Sequence, residues 1–520
     1  MSTHSQSNPM DTVRQLGVPS MINKPRACAR IVAALGIALL ATTAEASDKL
    51  AIKAGRVITV TGEDIVDGVI VIEGGRITAV GVAGEVAIPW DAEVIDVPEL
   101  TAFPGFVEAH TWRGMDRANE SIDVAPFLDI RDSIDPVNFY FEDMLRSGVT
   151  TIGVGQGNAC VIGGQGMIVK PRGMTVEEML VRPRSGLKMS IAPKSGKSRA
   201  TQAQALRRAF ADLRRHLEQL VQAQKDGDDT ARREALYQGR DLEGERGKGR
   251  AMGGIAWKVD GLELVPRGEI DEKLEPLLDV VEGNVTVWIY CGAPMDVPIA
   301  LDIARENGFL QETRLVLDNS CWKAADVIAE AGVPVVLDSR LMHVERDPVT
   351  GEEIETFVPG VFHEQGVTFA LRSVNSTTES LWFQAAMCVA YGMDEAAALA
   401  AVTTTPAEIL GVGNRVGGLS VGMDGNVLLF SGDPLSVTSF VEYVIIEGEL
   451  AYDRSTDVRA KHILEGLVPP NTASAADMEI GEHGDDGDGD GDGDDGGDDD
   501  DDDGDDDGDD DGDDDEGQDE

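Results

Sequence analysis

The stretch TAFPGFVEAHTWRG, Thr101 to Gly114, is an apolar, strand-like run that ends in a histidine. Residues two apart on a strand share a face, so a chelating partner for His110 would sit at position 112, where the chain has Trp112. The run thus has the form of a metal-site strand with one ligand in place and its neighbour replaced.

Short β-branched runs lie on its N-terminal side: LAIKAGRVITV (50–60), GVIVIEGGRITAVG (68–81) and AEVIDVPEL (92–100), parted by glycine-containing turns as in a small β-sandwich. The same texture returns in GNVLLFSGDPL (425–435) and VEYVIIEGELAYD (441–453). Between the two blocks the pattern changes. Apolar strands such as VTTIGVG (149–155), VTVWIYCG (285–292), TRLVLDNS (313–320), GVPVVLDS (332–339) and GVTFALRS (366–373) alternate with helical stretches such as PIALDIARENGF (298–309) and KAADVIAEAG (323–332). Strand, helix and strand joined by short connections imply a parallel sheet covered on both faces. The span 105–409 has room for an α/β (β/α)8 TIM barrel, which needs about 250 residues. The expected organisation is a composite β-sandwich from 47–104 and 410–460 around that barrel, with a linker at 461–483. From 194 to 250 the apolar residues recur at helical spacing among many Arg and Lys, which reads as a solvated helical excursion near 195–250. His216 lies in it without a chelating partner.

The chain's formal net charge is −50, and 25 of its 94 acidic residues fall within 484–520; the other 69 against 44 basic residues still leave −25. A surface of that sign repels phosphate backbones, so nucleic acid is not an expected partner, whereas a small molecule is. Residues 484–520 contain only Gly, Asp, Glu and one Gln, which gives no core and predicts a disordered acidic tail. Its Asp488, Asp490, Asp492, Gly493 and Asp499 match a calcium-loop spacing, so weak calcium binding there is an expectation alongside simple solvation. At the other end, Lys24, Arg26 and Arg30 precede IVAALGIALLA (31–41) and TTAEAS (42–47), the pattern of a signal peptide cleaved after Ala46. That predicts a periplasmic or secreted protein with no stable membrane span after cleavage. Cys160, Cys291, Cys321 and Cys388 show no CxxC spacing and are expected as buried free thiols.

The motif FPGFVEAH (103–110), the exit segment TTTPAEILGVGNRVGGLSVGMDGNVLLFSGDPL (403–435), and the segments GNACVIGGQGMIVKPRG (157–173) and SGLKMSIAPKSGK (185–197) together resemble the amidohydrolase superfamily, closest to its imidazolonepropionase-like branch. The resemblance runs over about 50–455. It implies hydrolysis of carbon–nitrogen bonds in amides or cyclic amides by a metal-bound water whose pKa falls to about 7. It also implies a site made of a His-x-His on the first barrel strand, a Lys or acid near the fourth, a His on each of the fifth and sixth, and an Asp on the eighth. On these positions His110 is a vestigial metal ligand and Trp112 replaces its partner. Tyr290 and Asn319 stand for the fifth- and sixth-strand histidines, Ser373 and Val374 occupy the eighth-strand positions, and Lys188 matches the bridging lysine. Such a set predicts zinc binding that is weak or absent.

Trp112, Tyr290 and Asn319 are therefore expected to line a ligand pocket, with His343 and Asp318 as candidates for acid–base work; His363, Glu108 and Asp116 could also lie near the mouth. Three functions stay open: an amidohydrolase-type hydrolase with impaired catalysis, a pseudoenzyme serving as a ligand-binding or partner subunit, alone as a homo-oligomer or beside an intact relative, and a metal-independent activity of another class.

Overall fold

The computed structural model describes residues 49–238, 257, 259–373 and 380–465. The signal segment 1–46, most of the linker, the acidic tail with its calcium-like spacing, and Val374 lie outside the described residues. Two compact units divide after Asp453; the second begins with a turn at Arg454–Thr456 and a helix at Val458–Glu465.

Seven strands from both ends of the first unit make one sheet, in the order β17-β16-β15-β4-β1-β2-β3. These are β1 Lys49–Val57, β2 Ile65–Glu73, β3 Arg76–Val82, β4 Glu93–Pro104, β15 Val427–Phe430, β16 Val441–Ile446 and β17 Glu449–Asp453. The alternation in β1 sends Ile52 and Ala54 into one apolar cluster and Ala51 into another on the opposite face. Gly74 and Gly75, with φ of 56° and 77°, form the two-residue turn from β2 to β3, a conformation that side chains with a Cβ resist. Strands from the early and late segments thus lie in one continuous seven-stranded sheet.

The second sheet has eight strands in the order β14-β11-β10-β9-β8-β7-β6-β5. They are β5 Phe106–Thr111, β6 Val149–Val154, β7 Ile162–Val169, β8 Leu180–Ser190, β9 Val287–Cys291, β10 Thr313–Leu317, β11 Val335–Val336 and β14 Phe369–Ala370. A two-stranded ribbon, β12 Met342–Arg346 and β13 Glu353–Phe357, lies between β11 and β14 in the sequence. The all-parallel expectation needs correction, because β7 runs antiparallel to both β6 and β8. Only seven residues separate β6 from β7, too few for the helical crossover that a parallel partner requires.

Apolar side chains from six of the eight strands, among them Val107, Ile168, Trp288, Val316, Val336 and Ala370, pack in one cluster with Ala407, Ile409 and Leu410. The sheet therefore curls around an apolar interior. The backbone carbonyls of Ala401 and Val402 accept from Leu371 N and Val107 N, which brings this segment against both ends of the sheet.

The charged segment also departs from the expectation of a fully solvated excursion. Arg199–Gln238 is a single helix whose Leu206, Phe210, Leu213, Leu217 and Val221 are buried in the main core, and Phe210 stacks on Phe309 at 5.4 Å. Spacing of three and four residues gives this helix one packed face, and only the rest is solvated. Cys160, Cys291, Cys321 and Cys388 are buried and free. Among the described residues no helix is long and apolar enough to cross a membrane.

Candidate functional site

β5 carries His110 into the sheet's interior. Its register against β6 shifts between Glu108 and Thr111, and Ala109 and His110 both line one small cavity of about 10 Å³ with Lys188 and Trp288. Register shifts of this kind re-aim side chains next to functional sites. The Trp288 indole fills the interior opposite His110, their rings 5.6 Å apart, and it can do so because Gly186 on the adjacent strand has no Cβ to meet it. That leaves space for about one water molecule.

Lys188 lies 3.1 Å from His110 Nε2 and donates to Asn158 Oδ1 at 3.0 Å; it is 2% exposed, and its Nζ sits 5.7 Å from the centre of the Tyr290 ring. No carboxylate is among these contacts. Burial pushes its pKa from 10.5 down to about 7, with the Arg372 charge acting in the same direction. His110 is held well below 6.5 by burial first and then by Lys188 and Arg372. With the lysine as donor the imidazole proton belongs on Nδ1, which is buried and finds no partner among the described residues.

Around this pair stand Glu108, named from the sequence as a group near the mouth, and Arg372, which the sequence reading does not name. Glu108, fully buried, accepts from Ser373 N at 2.7 Å, Ser373 Oγ at 2.8 Å and His110 N at 3.3 Å. Burial raises its pKa from 4.5 to about 7 against the pull of those bonds. Arg372, just past β14, is buried, donates from Nη2 to Asp338 Oδ2 at 3.0 Å, and lies 5.6 Å from the centre of the Trp112 ring. Its Nε and Nη1 have no partner among the described residues. Burial opposes ionisation of Asp338, and Arg372 and Arg340 overcome it, holding the carboxyl below its usual range. The signal for Arg372 was legible in VTFALRS: an arginine at the end of an otherwise apolar strand.

The remaining candidates fall in two groups. Tyr290, Lys188 and His110 come together as described, Trp112 is in contact with Arg372, and burial raises the Tyr290 hydroxyl's pKa. Asn319 instead turns to His343, with Oδ1 3.2 Å from Nδ1. Asp318 gives one oxygen to Ser320 N and the other to Arg340 Nη2. His343 and Asp318 thus each have other partners and do not form the acid–base pair considered from sequence. Asp116 bonds Ser133, His363 is exposed on the helix Val358–Glu364, and His216 Nε2 accepts from Asp271 N.

These donors do not fit a zinc ion. The nitrogen of His110 that lines the interior is in contact with an amine, and the neighbouring positions offer an indole, a phenol and a carboxamide. Among the described residues no group of three or more His, Cys, Asp or Glu is placed to hold a metal.

No family model matches the sequence. It is 26% identical over 431 residues to the amidohydrolase tasK of Hapsidospora irregularis, covering 74% of this chain and 40% of that protein. A shorter match, 32% over 118 residues, is to the 5-methylthioadenosine/S-adenosylhomocysteine deaminase of Moorella thermoacetica, covering 20% of this chain and 28% of that one. The chain thus spans less than half the length of the curated relatives it matches. Among solved structures, the amidohydrolase from Thermotoga maritima MSB8 superposes with a TM-score of 0.58 at 24% identity, over 78% of this chain and all of that one, a likeness of fold.

Proposed function

The chain is a member of the amidohydrolase superfamily, and we propose that it binds a small amide or cyclic amide at the mouth of its curled sheet while the superfamily's metal-dependent hydrolysis of carbon–nitrogen bonds is lost or impaired. One observation carries this reading: Lys188 Nζ, 3.1 Å from His110 Nε2, stands where a metal would have to approach the one retained ligand. A cation beside an ammonium, with no second imidazole, gains too little to displace water. In this reading the eight-stranded sheet closes as a (β/α)8 barrel through the Ala401–Val402 segment. Trp112 and Tyr290 then supply flat apolar walls and Arg372 a hydrogen-bond donor, the lining small-molecule sites use. Export to the periplasm or outside the cell belongs to the same reading, and an uncleaved apolar segment in the mass of exported protein would refute it.

The test pairs binding with turnover. N-acyl amino acids and five-membered cyclic amides are titrated calorimetrically into zinc-supplemented and chelator-treated protein, and hydrolysis is followed on the same samples. Binding that is indifferent to chelator, without hydrolysis, is the expected result; chelator-sensitive turnover overturns it. A metal-independent activity is the second reading, favoured by the direct contact of Lys188 and His110, two groups within reach for proton transfer. Turnover that survives chelation and disappears in Lys188→Met would select it.

A further inference from the structure

Beside the mouth, the segment that leaves β6 borders a second and larger cavity of about 400 Å³, within the range of small-molecule clefts. Its apolar lining includes Phe127, Leu128 and Ile130. Gln156, 2% exposed, lines it too. The Gln156 Oε1 accepts from Gly164 N at 2.6 Å, and this fixes the plane of the amide. Its Nε2 is buried and has no partner among the described residues. A buried amide left unmet costs about 1–3 kcal/mol, so a fixed, unpartnered donor at a roomy cavity points to an acceptor oxygen supplied from outside the chain.

The rim adds charge of both signs. Arg117 lines it, and among the described residues its guanidinium makes no hydrogen bond or ion pair; the same holds for the carboxylates of Glu120 and Asp132. A chain of formal net charge −50 repels a plain anion, and three lining carboxylates, Glu120, Asp132 and Asp129, the last accepting from Arg131 N, add to that repulsion. A ligand with an anionic and a cationic end satisfies Arg117, Glu120 and Asp132 at once.

We propose that this cavity binds a small zwitterion with an apolar body, its carboxylate received by Gln156 Nε2 and Arg117, its ammonium facing Glu120 and Asp132, and its side chain against Phe127 and Leu128. The site is separate from the His110–Lys188 pair and does not depend on the function proposed above. It does adjoin that pair, since Asn158, two residues beyond Gln156, accepts the Lys188 hydrogen bond.

The experiment is calorimetry on the full chain with three probes of one shape: L-leucine, L-leucinamide, which lacks the carboxylate, and N-acetyl-L-leucine, which lacks the ammonium. Leucine is expected to bind, with each analogue weaker by about tenfold or more, because a site built for a hydrogen-bonded group penalises its absence. Gln156→Glu keeps the acceptor for Gly164 N but sets a negative oxygen against the ligand's carboxylate, and should weaken leucine by about tenfold or more. Arg117→Gln, on the exposed rim where it cannot disturb the fold, should weaken leucine in the same direction and leave leucinamide unchanged. The proposal is overturned if leucine shows no heat at millimolar concentration, if the three probes bind alike, or if Arg117→Gln leaves leucine binding unaltered.

Discussion

Among the described residues two lysines are buried, and they are buried differently. Lys170, 4% exposed, lies where the two sheets meet and reaches Asp424 at 2.7 Å and Glu447 at 2.6 Å, while Arg415 adds a further pair to Asp424. Lys188, 2% exposed, has a histidine and an asparagine in reach and no carboxylate. Both pay for desolvation, but only Lys170 is repaid by counter-charge. The junction between the sheets is thus a satisfied network that fixes one arrangement. The mouth holds an amine, a carboxyl and a guanidinium with open donors, none fully compensated, and such violations gather at functional sites.

The largest effect should come from breaking the satisfied side. Lys170→Met leaves Asp424 buried with less than its full counter-charge, and the loss of unfolding free energy should be about 3–5 kcal/mol by urea denaturation at pH 7. Lys188→Met, equally buried, should cost far less or stabilise, because it removes a desolvated amine that lacks a carboxylate partner. Equal losses in the two variants would erase the distinction.

A smaller, pH-dependent effect sharpens it. In the folded chain Lys188 titrates at about 7 against 10.5 unfolded, so between those values the unfolded state holds more protons and stability rises with pH. Glu108 titrates at about 7 against 4.5, so between 4.5 and 7 the folded state holds more protons and stability falls as pH rises. The two burdens are therefore heaviest together near neutrality. Stability measured from pH 5 to 9, wild type minus the Glu108→Gln/Lys188→Met double variant, should pass through a minimum near pH 7. A flat difference would mean that the mouth is more hydrated than its burial suggests.

Much of this was legible in the sequence, and the losses have physical reasons. FPGFVEAH carried the turn from one sheet into the next, and the β-branched blocks at 50–100 and 425–453 were recognisable as one body because alternation is a local signal. The direction of β7 was not, since antiparallel and parallel strands share composition and only the short connection from Val154 to Ile162 betrays it. Glu108 and Arg372 escaped notice as a pair because they lie 264 positions apart and meet only when the sheet curls. Asp318 and His343 follow expected strands on the loop face, and neither that placement nor their residue type reveals that Arg340 and Asn319 are their partners.

The smallest expected effect concerns the position that opened the question. Trp112→His restores the His-x-His spacing on the first strand of the eight-stranded sheet, yet protein loaded with excess zinc and desalted should retain well below one equivalent, as wild type should. Two imidazoles on one strand are half a tetrahedral set, and the first remains in contact with Lys188. The substitution also removes the ring beneath Arg372, so circular dichroism must show that the variant is folded before its zinc content is compared. Adding Lys188→Met, Tyr290→His and Asn319→His takes away the competing amine and supplies two more nitrogens, and only in that combination should retention rise, because the contributions of ligands to one ion are not additive. Stoichiometric zinc in Trp112→His alone would show that the lysine yields to a metal. It would return the mouth to the hydrolytic class and leave Lys170 as the one buried lysine whose position is set by structure.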